Sequence, residues 1–572
     1  MKNSTLYRFL SVSLFIASQL LAFGVGHSQS TAINSNGTGM VIQNDNTNTP
    51  VPSSALIEMR SANKGLLLPR MTTNQIQQVQ NPTVGLAIYD TDVKCLKTYN
   101  GTAWECASGT SSTSVSSPMT TSLASKVIGT NINYGRGIAT DNSGNYYVAG
   151  HFQGQIKFTT GDAAITSQGG SDVFIAKFNS AGGLVWKAFI TSPTNSEQAK
   201  GLKVDSFGNV YVTGIFSNQM TVYSANLSSN TVNGPSSGVF VIKFNSSGVF
   251  VWPSIFDVTS INDIALDANG NPHITGQFYG TVAFGSISLT SSGYDVYVAK
   301  LNTSNGSVTW AFLEGGTNTD TGNGLSIDGL GNVFLTGTYK GTASFGSSPS
   351  LETLTARGST GYSDIFIAKY TNAGNLVWVR TVGGVYDDEG SRIAVNSTGT
   401  EVYLVGLFRD VVLFGTGLGS NSQTSSGGTD IVMAKYNGNN GNVLFSIKAG
   451  GSNNDVANAI VLSSSNNFYL TGKIGNQNCS FSSNNDPTPV QPFSLNNPCG
   501  ANACFLAKYN SSGVLQLAIS TTNNYAVEGF DIAHNAGKTW IMGDFSNQAN
   551  FGFQQLVASY GPELFIWQFS EN

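Results

Sequence analysis

At 572 residues the chain exceeds the size of one ordinary hydrophobic core, so several domains or a repeat array are expected. Charged residues make up only 10% of it, and 40% is hydrophobic, too apolar for wholesale disorder. A formal net charge of −5 argues against a nucleic-acid binder, which needs a basic stripe to neutralise phosphates.

The first 28 residues read as a secretory signal. Lys2 and Arg8 precede an apolar stretch from Phe9 to Val25, and small residues follow, suiting a cut before Gln29. No later apolar run is long enough to span a bilayer, so a non-transmembrane, secreted or cell-surface protein is expected. Export permits disulfides. Cys95 and Cys106 flank the hairpin turn Tyr99–Thr102 and are the disulfide candidates; the pairing of Cys479, Cys499 and Cys504 stays open. Zinc fits poorly, because no histidine of the mature chain lies near these cysteines.

Residues 29–106 form a small N-terminal β-rich module, with strands expected at 54–59, 84–89 and 96–105 and a short helix near 73–80. Residues 107–120, mostly Ser, Thr and Gly, read as a linker.

From residue 121 to 572 the chain repeats itself. The first copy holds Gly137–Asp141, Asn142–Asn145, Tyr146–Phe152, Asp172–Asn179 and Gly183–Trp186. Its second-strand glycine, Gly150, recurs as Gly214, Gly276, Gly337, Gly406, Gly472 and Gly543, spaced by 61 to 71 residues. Each copy reads as four strands, A to D, with a tight A–B turn capped by an Asp such as Asp141. One such sheet cannot bury both faces alone, and radial packing of blades solves that. The seventh copy ends after its C strand, while Ser122–Ile128 precedes the first copy where a D strand belongs. The expected fold is therefore all-β: a seven-bladed β-propeller of four-stranded blades, closed by an N-terminal strand completing the last blade.

The D-strand Trp, the Ile-Ala-x-Asp strand, Gly-Asn and the Tyr-Val-x-Gly strand resemble the bacterial SBBP β-propeller repeat over residues 121–572. The turn Asp is replaced by Asn396, Ser463 and Asn535 in the last three copies. The resemblance implies architecture and no general catalytic activity. Ser54–Arg60, Lys64–Thr73, Val84–Asp90 and Lys97–Trp104 resemble a module at the front of exported Bacteroidetes surface proteins, which implies a bacterial cell-surface destination.

Sites are sparse. Gly234-Pro-Ser236-Ser-Gly238 matches a nucleophile-elbow pattern but precedes a strand, where a hydrolase needs a helix. Trp186, Trp252, Trp310 and Trp378 recur at strand D and read as blade-docking residues. Lys177, Lys243, Lys300, Lys369, Lys435 and Lys508 recur near the end of strand C and read as structural partners of the turn acids. Glu197, Asp320, Asp388 and Asp455 fall eight residues before the turn position in four copies. They read as loop caps, or as a broken acidic rim around the central opening able to hold a calcium ion. No other cofactor is expected. The leading expectation is a non-catalytic binding scaffold for an extracellular protein or glycan, its propeller monomeric. The rival is a glycan-active hydrolase or lyase, for which Asp387-Asp388-Glu389 is the local acidic feature.

Overall fold

The computed structural model describes residues 40–43, 57–60, 68–84, 86–92, 95–99, 101, 104–107, 119–358, 361–415, 421–475, 479–484, 493–495, 502–522, 525–552, 554–559 and 561–571. The signal segment 1–28 lies outside them. The chain separates into two compact units, 1–113 and 114–572.

In the first unit, strands Ala87–Asp90, Cys95–Tyr99 and Trp104–Ala107 form an antiparallel ladder. Arg70–Met71 adds in parallel to the first of them. The helix Thr73–Gln77 is one turn long. Thr72 caps it through a reciprocal box with Gln75, as the Thr-x-x-Gln pattern dictates.

The second unit is a β-propeller. Its strands pair antiparallel in four-stranded units that repeat seven times among the described residues. The first blade runs Asn133–Thr140 (A), Tyr146–Phe152 (B), Asp172–Phe178 (C) and Leu184–Thr191 (D). The last takes A, B and C from Val527–Asn535, Lys538–Phe545 and Glu563–Glu571. Its D strand is Met119–Lys126, with Ala124 opposite Trp567. The two ends of the unit thus share one sheet, and no open edge is left there.

Alternating strand side chains bury one face of each sheet against the next blade. Apolar clusters fill seven successive junctions. Tyr147, Ile175 and Trp186 of the first blade meet Val212, Phe240 and Phe244 of the second. Trp540, Met542 and Leu564 of the last blade meet Tyr146, Val148 and Phe174 of the first. The recurring tryptophans dock blades as the sequence suggests. Trp186, Trp252, Trp310 and Trp378 donate Nε1–H to the carbonyls of Ser246, Thr303, Asn372 and Gly438, each in the C–D turn of the following blade.

The outer edge is latched as well. Strand D of the first blade pairs with the hairpin that links B to C in the second, Thr191 opposite Thr221. The same arrangement recurs at Gly315 opposite Ser344, Val382 opposite Phe414 and Ala449 opposite Phe481. After its D strand, the closing segment continues into Ile128–Gly129 and latches onto the first blade, Gly129 opposite Ile156.

The A–B turns follow their sequence. Asp141 accepts the Ser143 and Asn145 amides, the Asn145 side chain and the Tyr147 hydroxyl. Asp205, Asp267 and Asp328 repeat the cap on their own turns. Two strand-C lysines pair beside these turns, Lys300 with Asp267 at 3.0 Å and Lys435 with Glu401 at 2.7 Å, whereas Lys508 pairs at 2.7 Å with Glu571, at the end of the last blade's strand C.

Candidate functional site

The repeat glycine of strand B has a specific cause. In every blade a Cβ at this position would overlap a carbonyl oxygen at or just before the start of strand A: Tyr134 for Gly150, Thr321 for Gly337, Glu528 for Gly543. The carbonyl comes that close because strand A carries a bulge just beyond it. The A–B register slips by one residue at Arg136, Lys200, Asn323, Ser391, Asn458 and Phe530. Asn262 holds the same place at the mouth of the third blade's A strand, its amide bonded to Thr275. A bulge re-aims a side chain out of the ladder. Here the six extra residues and Asn262 line one central cavity of about 320 Å³, within the range of small-ligand sites.

Three of the seven are asparagines, and they tie the inner ring together. Asn262 donates to the Gly322 carbonyl at 2.9 Å, Asn323 to Gly390 at 3.1 Å and Asn458 to Gly529 at 2.8 Å. Each acceptor is the residue just before the next blade's bulge. Asp263 and Asp531 join the next blade too, accepting the amides of Leu325 and Ile138 at 2.8 Å.

The other bulge residues make the cavity asymmetric. Arg136 donates to the Gly135 carbonyl at 2.6 Å and to Asp544 at 3.1 Å. Its guanidinium lies 4.4 Å from the Phe530 ring centre and 4.9 Å from that of Tyr134, both within cation–π range. Burial pushes the Asp544 carboxyl up to about 7. Lys200, from the next blade, is exposed into the cavity, and burial together with Arg136 lowers its pKa. Burial, with Arg136 and Lys200 nearby, also holds His151 down to about 3, so the imidazole is neutral. The fifth blade contributes the opposite sign. Glu389 lines the same cavity, and with Asp387 it borders an adjoining hollow between Thr321, Ser363 and Thr429. Arg392 turns back to the Asn323 carbonyl at 2.8 Å.

The four acids singled out by register lie on the D–A connections, but they do not rim the opening. Glu197, Asp320, Asp388 and Asp455 are buried between blades. Asp320 accepts the Gly316 amide at 2.7 Å and the Lys340 amide at 2.9 Å, joining the end of one blade to strand B of the next. Asp388 bridges Gly384 and Arg409 in the same way, and Asp455 bridges Gly451 and Gly475. The physical reason is backbone polarity: amides turned inward at the crossover need acceptors more than the cavity needs charge. Each faces a second acid at the start of strand C: Asp295, Asp364 and Asp430. Glu197, with one more methylene, faces Asp172 and has both oxygens buried without a well-formed hydrogen bond; the Ser192 amide offsets little of that cost. Burial pushes Asp320 and Asp364 up to about 6, and Asp388 and Glu197 to about 8, with the paired acid adding to the rise in Asp388 and Glu197. Among the described residues no group of three or more His, Cys, Asp or Glu is placed to hold a metal ion.

Ser236 lies in the loop between Asn233 and Gly238 and leads into a strand, so the nucleophile-elbow pattern lacks its helix. Cys479 and Cys504 are free thiols in the core. The backbone register sets Cys106 opposite Lys97, so Cys95 stands diagonal to it. The side chains of Cys95 and Cys106, and all of Cys499, lie outside the described residues. Among the described residues no helix is long and apolar enough to cross a membrane.

The blades, junctions and cavity define a β-propeller repeat protein. Residues 44–118 match the family model of the phage tail like trimerisation region. A relative in Acanthamoeba polyphaga mimivirus, the uncharacterized WD repeat-containing protein L264, is 24% identical over 520 residues. That match covers 75% of this chain, which spans 36% of the relative's length. Among solved structures the chain is similar to the Dos1 propeller, at 9% identity and TM-score 0.37, covering 78% of this chain and 94% of that one. It is also similar to the phage phi92 endosialidase, at 10% identity and TM-score 0.34, covering 79% and 69%. For the quinohemoprotein alcohol dehydrogenase ADHIIG from Pseudomonas putida HK5 the figures are 8%, 0.35, 79% and 76%.

Proposed function

We propose that this is an exported, non-catalytic binding scaffold: a seven-bladed ring that takes its ligand at the mouth of the central cavity. The observation that carries this reading is the bulge ring. A distortion repeated in six of the seven blades, with Asn262 in the same place in the other, serves one purpose, aiming one side chain per blade into a shared space, and four of those seven side chains depart from the asparagine that closes the ring. Hydrolysis of a glycan would need two carboxyls flanking a bond across open space. The acids at hand are either buried staples such as Asp388 or lie together on one loop, as Asp387 and Glu389 do.

We further propose that residues 44–118 hold three chains together, on the strength of the trimerisation-region match. Three weak sites on one body raise the apparent affinity for a repeating ligand without any new contact. Passing the full mature chain over immobilised polysaccharides tests the first proposal. Retention without release of shortened products supports a scaffold, and turnover refutes it. Light scattering on the same protein tests the second: three chain masses are expected, and one chain mass contradicts it.

A further inference from the structure

We infer that the sector of the cavity formed by Arg136, Lys200 and Phe530 binds the carboxylate of an acidic sugar. The inference rests on the scaffold reading and adds the ligand class to it. Three of the bulge asparagines have their amides engaged on the neighbouring blade. The seventh, first and second blades, which are consecutive around the ring, carry an aromatic ring and two cations instead.

The two cations share one acid between them. Asp544 is the single ion-pair partner of Arg136 among the described residues. The Lys200 ammonium has no hydrogen-bond or ion-pair partner among them, although it lines the same cavity as Arg136. A cation left unpaired in such a space repels its neighbour and gains when an anion arrives. A carboxylate fits the gap between a guanidinium fork and an ammonium: it accepts from both and cancels one of the two charges. The Arg136 guanidinium is already fixed against Phe530 and Tyr134, so little side-chain freedom is lost on binding. Beyond the cations, Ser391 offers a hydroxyl and Asn262 and Asn323 their side-chain carbonyl oxygens around a cavity of about 320 Å³, which suits one or two sugar rings. Glu389 on the far side disfavours a ligand bearing anions at both ends and favours one whose other groups are hydroxyls.

The carboxylate has two sources, a free uronic acid or the acidic end of a polysaccharide chain. Calorimetric titration of the full chain with galacturonate, a galacturonate trimer and galactose separates them. Binding of both acidic probes, with galactose silent, is the expected result. A response to the trimer alone places the source in the polymer. Lys200→Met is expected to weaken the acidic probes about ten-fold, and Lys200→Arg to retain most of the affinity. Lys200 is exposed and holds no blade junction, so these variants fold; an unchanged denaturation midpoint verifies it. No binding of either acidic probe, equal binding of galactose, or indifference to Lys200→Met overturns the inference. Retention of neutral polysaccharides with none of these effects leaves the scaffold reading standing and removes this one.

Discussion

Replacing Trp378 probes how firmly one blade is held to the next. Its indole is 3% exposed and donates to the Gly438 carbonyl of the following blade at 3.2 Å. The ring sits over Gly441, where a Cβ would collide with it, and the Arg380 guanidinium covers it at 5.7 Å. Trp378→Ala removes this area and leaves a cavity between blades, which costs about 3–5 kcal/mol. Trp378→Phe keeps most of the apolar contact. It loses a hydrogen bond whose acceptor still receives the Lys369 ammonium at 2.8 Å, so no carbonyl is orphaned. That loss should be nearer 1 kcal/mol. Trp310 occupies the equivalent place one blade earlier but is only half-buried, so Trp310→Ala should fall between the two. Denaturant midpoints of the full chain, converted with a common slope, give the ranking. If Trp310→Ala proves as costly as Trp378→Ala, or if Trp378→Ala costs less than the Phe variant, the tryptophans are not blade-docking residues and the argument fails.

The buried acids give the ring a pH dependence with a definite sign. Asp388, Glu197 and Glu314 are raised to about 8 and Asp544 to about 7, so the native state holds protons there that the unfolded chain has released. Stability should therefore fall as pH rises from about 7.5 to about 9, a window that starts about one unit above the unfolded histidine pKa, where the lowered pKa values of His151 and His273 have little further effect; a thermal midpoint that rises across it contradicts the assignment. Asp320→Ala orphans two partly buried amides, at Gly316 and Lys340, and should lower stability by about 1–3 kcal/mol; if calcium or a chelator shifts the wild-type midpoint and this variant abolishes the shift, the staple account is wrong and the rim account is right.

Much of the ring was legible because its constraints fall on fixed residue types. The strand-B glycine, the turn Asp with its following Gly, and the strand-D Trp each answer to one steric or hydrogen-bonding demand that recurs in each blade. The displaced D strand at 122–128 was legible because a four-stranded unit lacked one member at the other end of the chain. The bulge residues were not seen, since Arg, Lys, Asn, Ser and Phe all occur there and no one side chain is common to all seven. A signal did exist: each stands 13 to 15 residues before the strand-B glycine, and Arg136, Lys200, Asn323 and Asn458 are flanked by Gly or Ala. Register placed the acids on the D–A loops and left two directions open, a loop cap or a rim on the central opening. Register reports which loop a residue occupies, whereas the inward turn of Asp320 and Asp388 depends on amides from another blade, which no local pattern reveals.

The cavity exists only if the ring is closed by Met119–Lys126 pairing with Glu563–Glu571. Hydrogen exchange on the full chain reads this directly. The account predicts that amides of 119–126 are protected as deeply as those of the strand they pair with, and that both segments open together on adding denaturant. Fast exchange throughout 119–126, with 563–571 protected, would show an open ring and contradict the account.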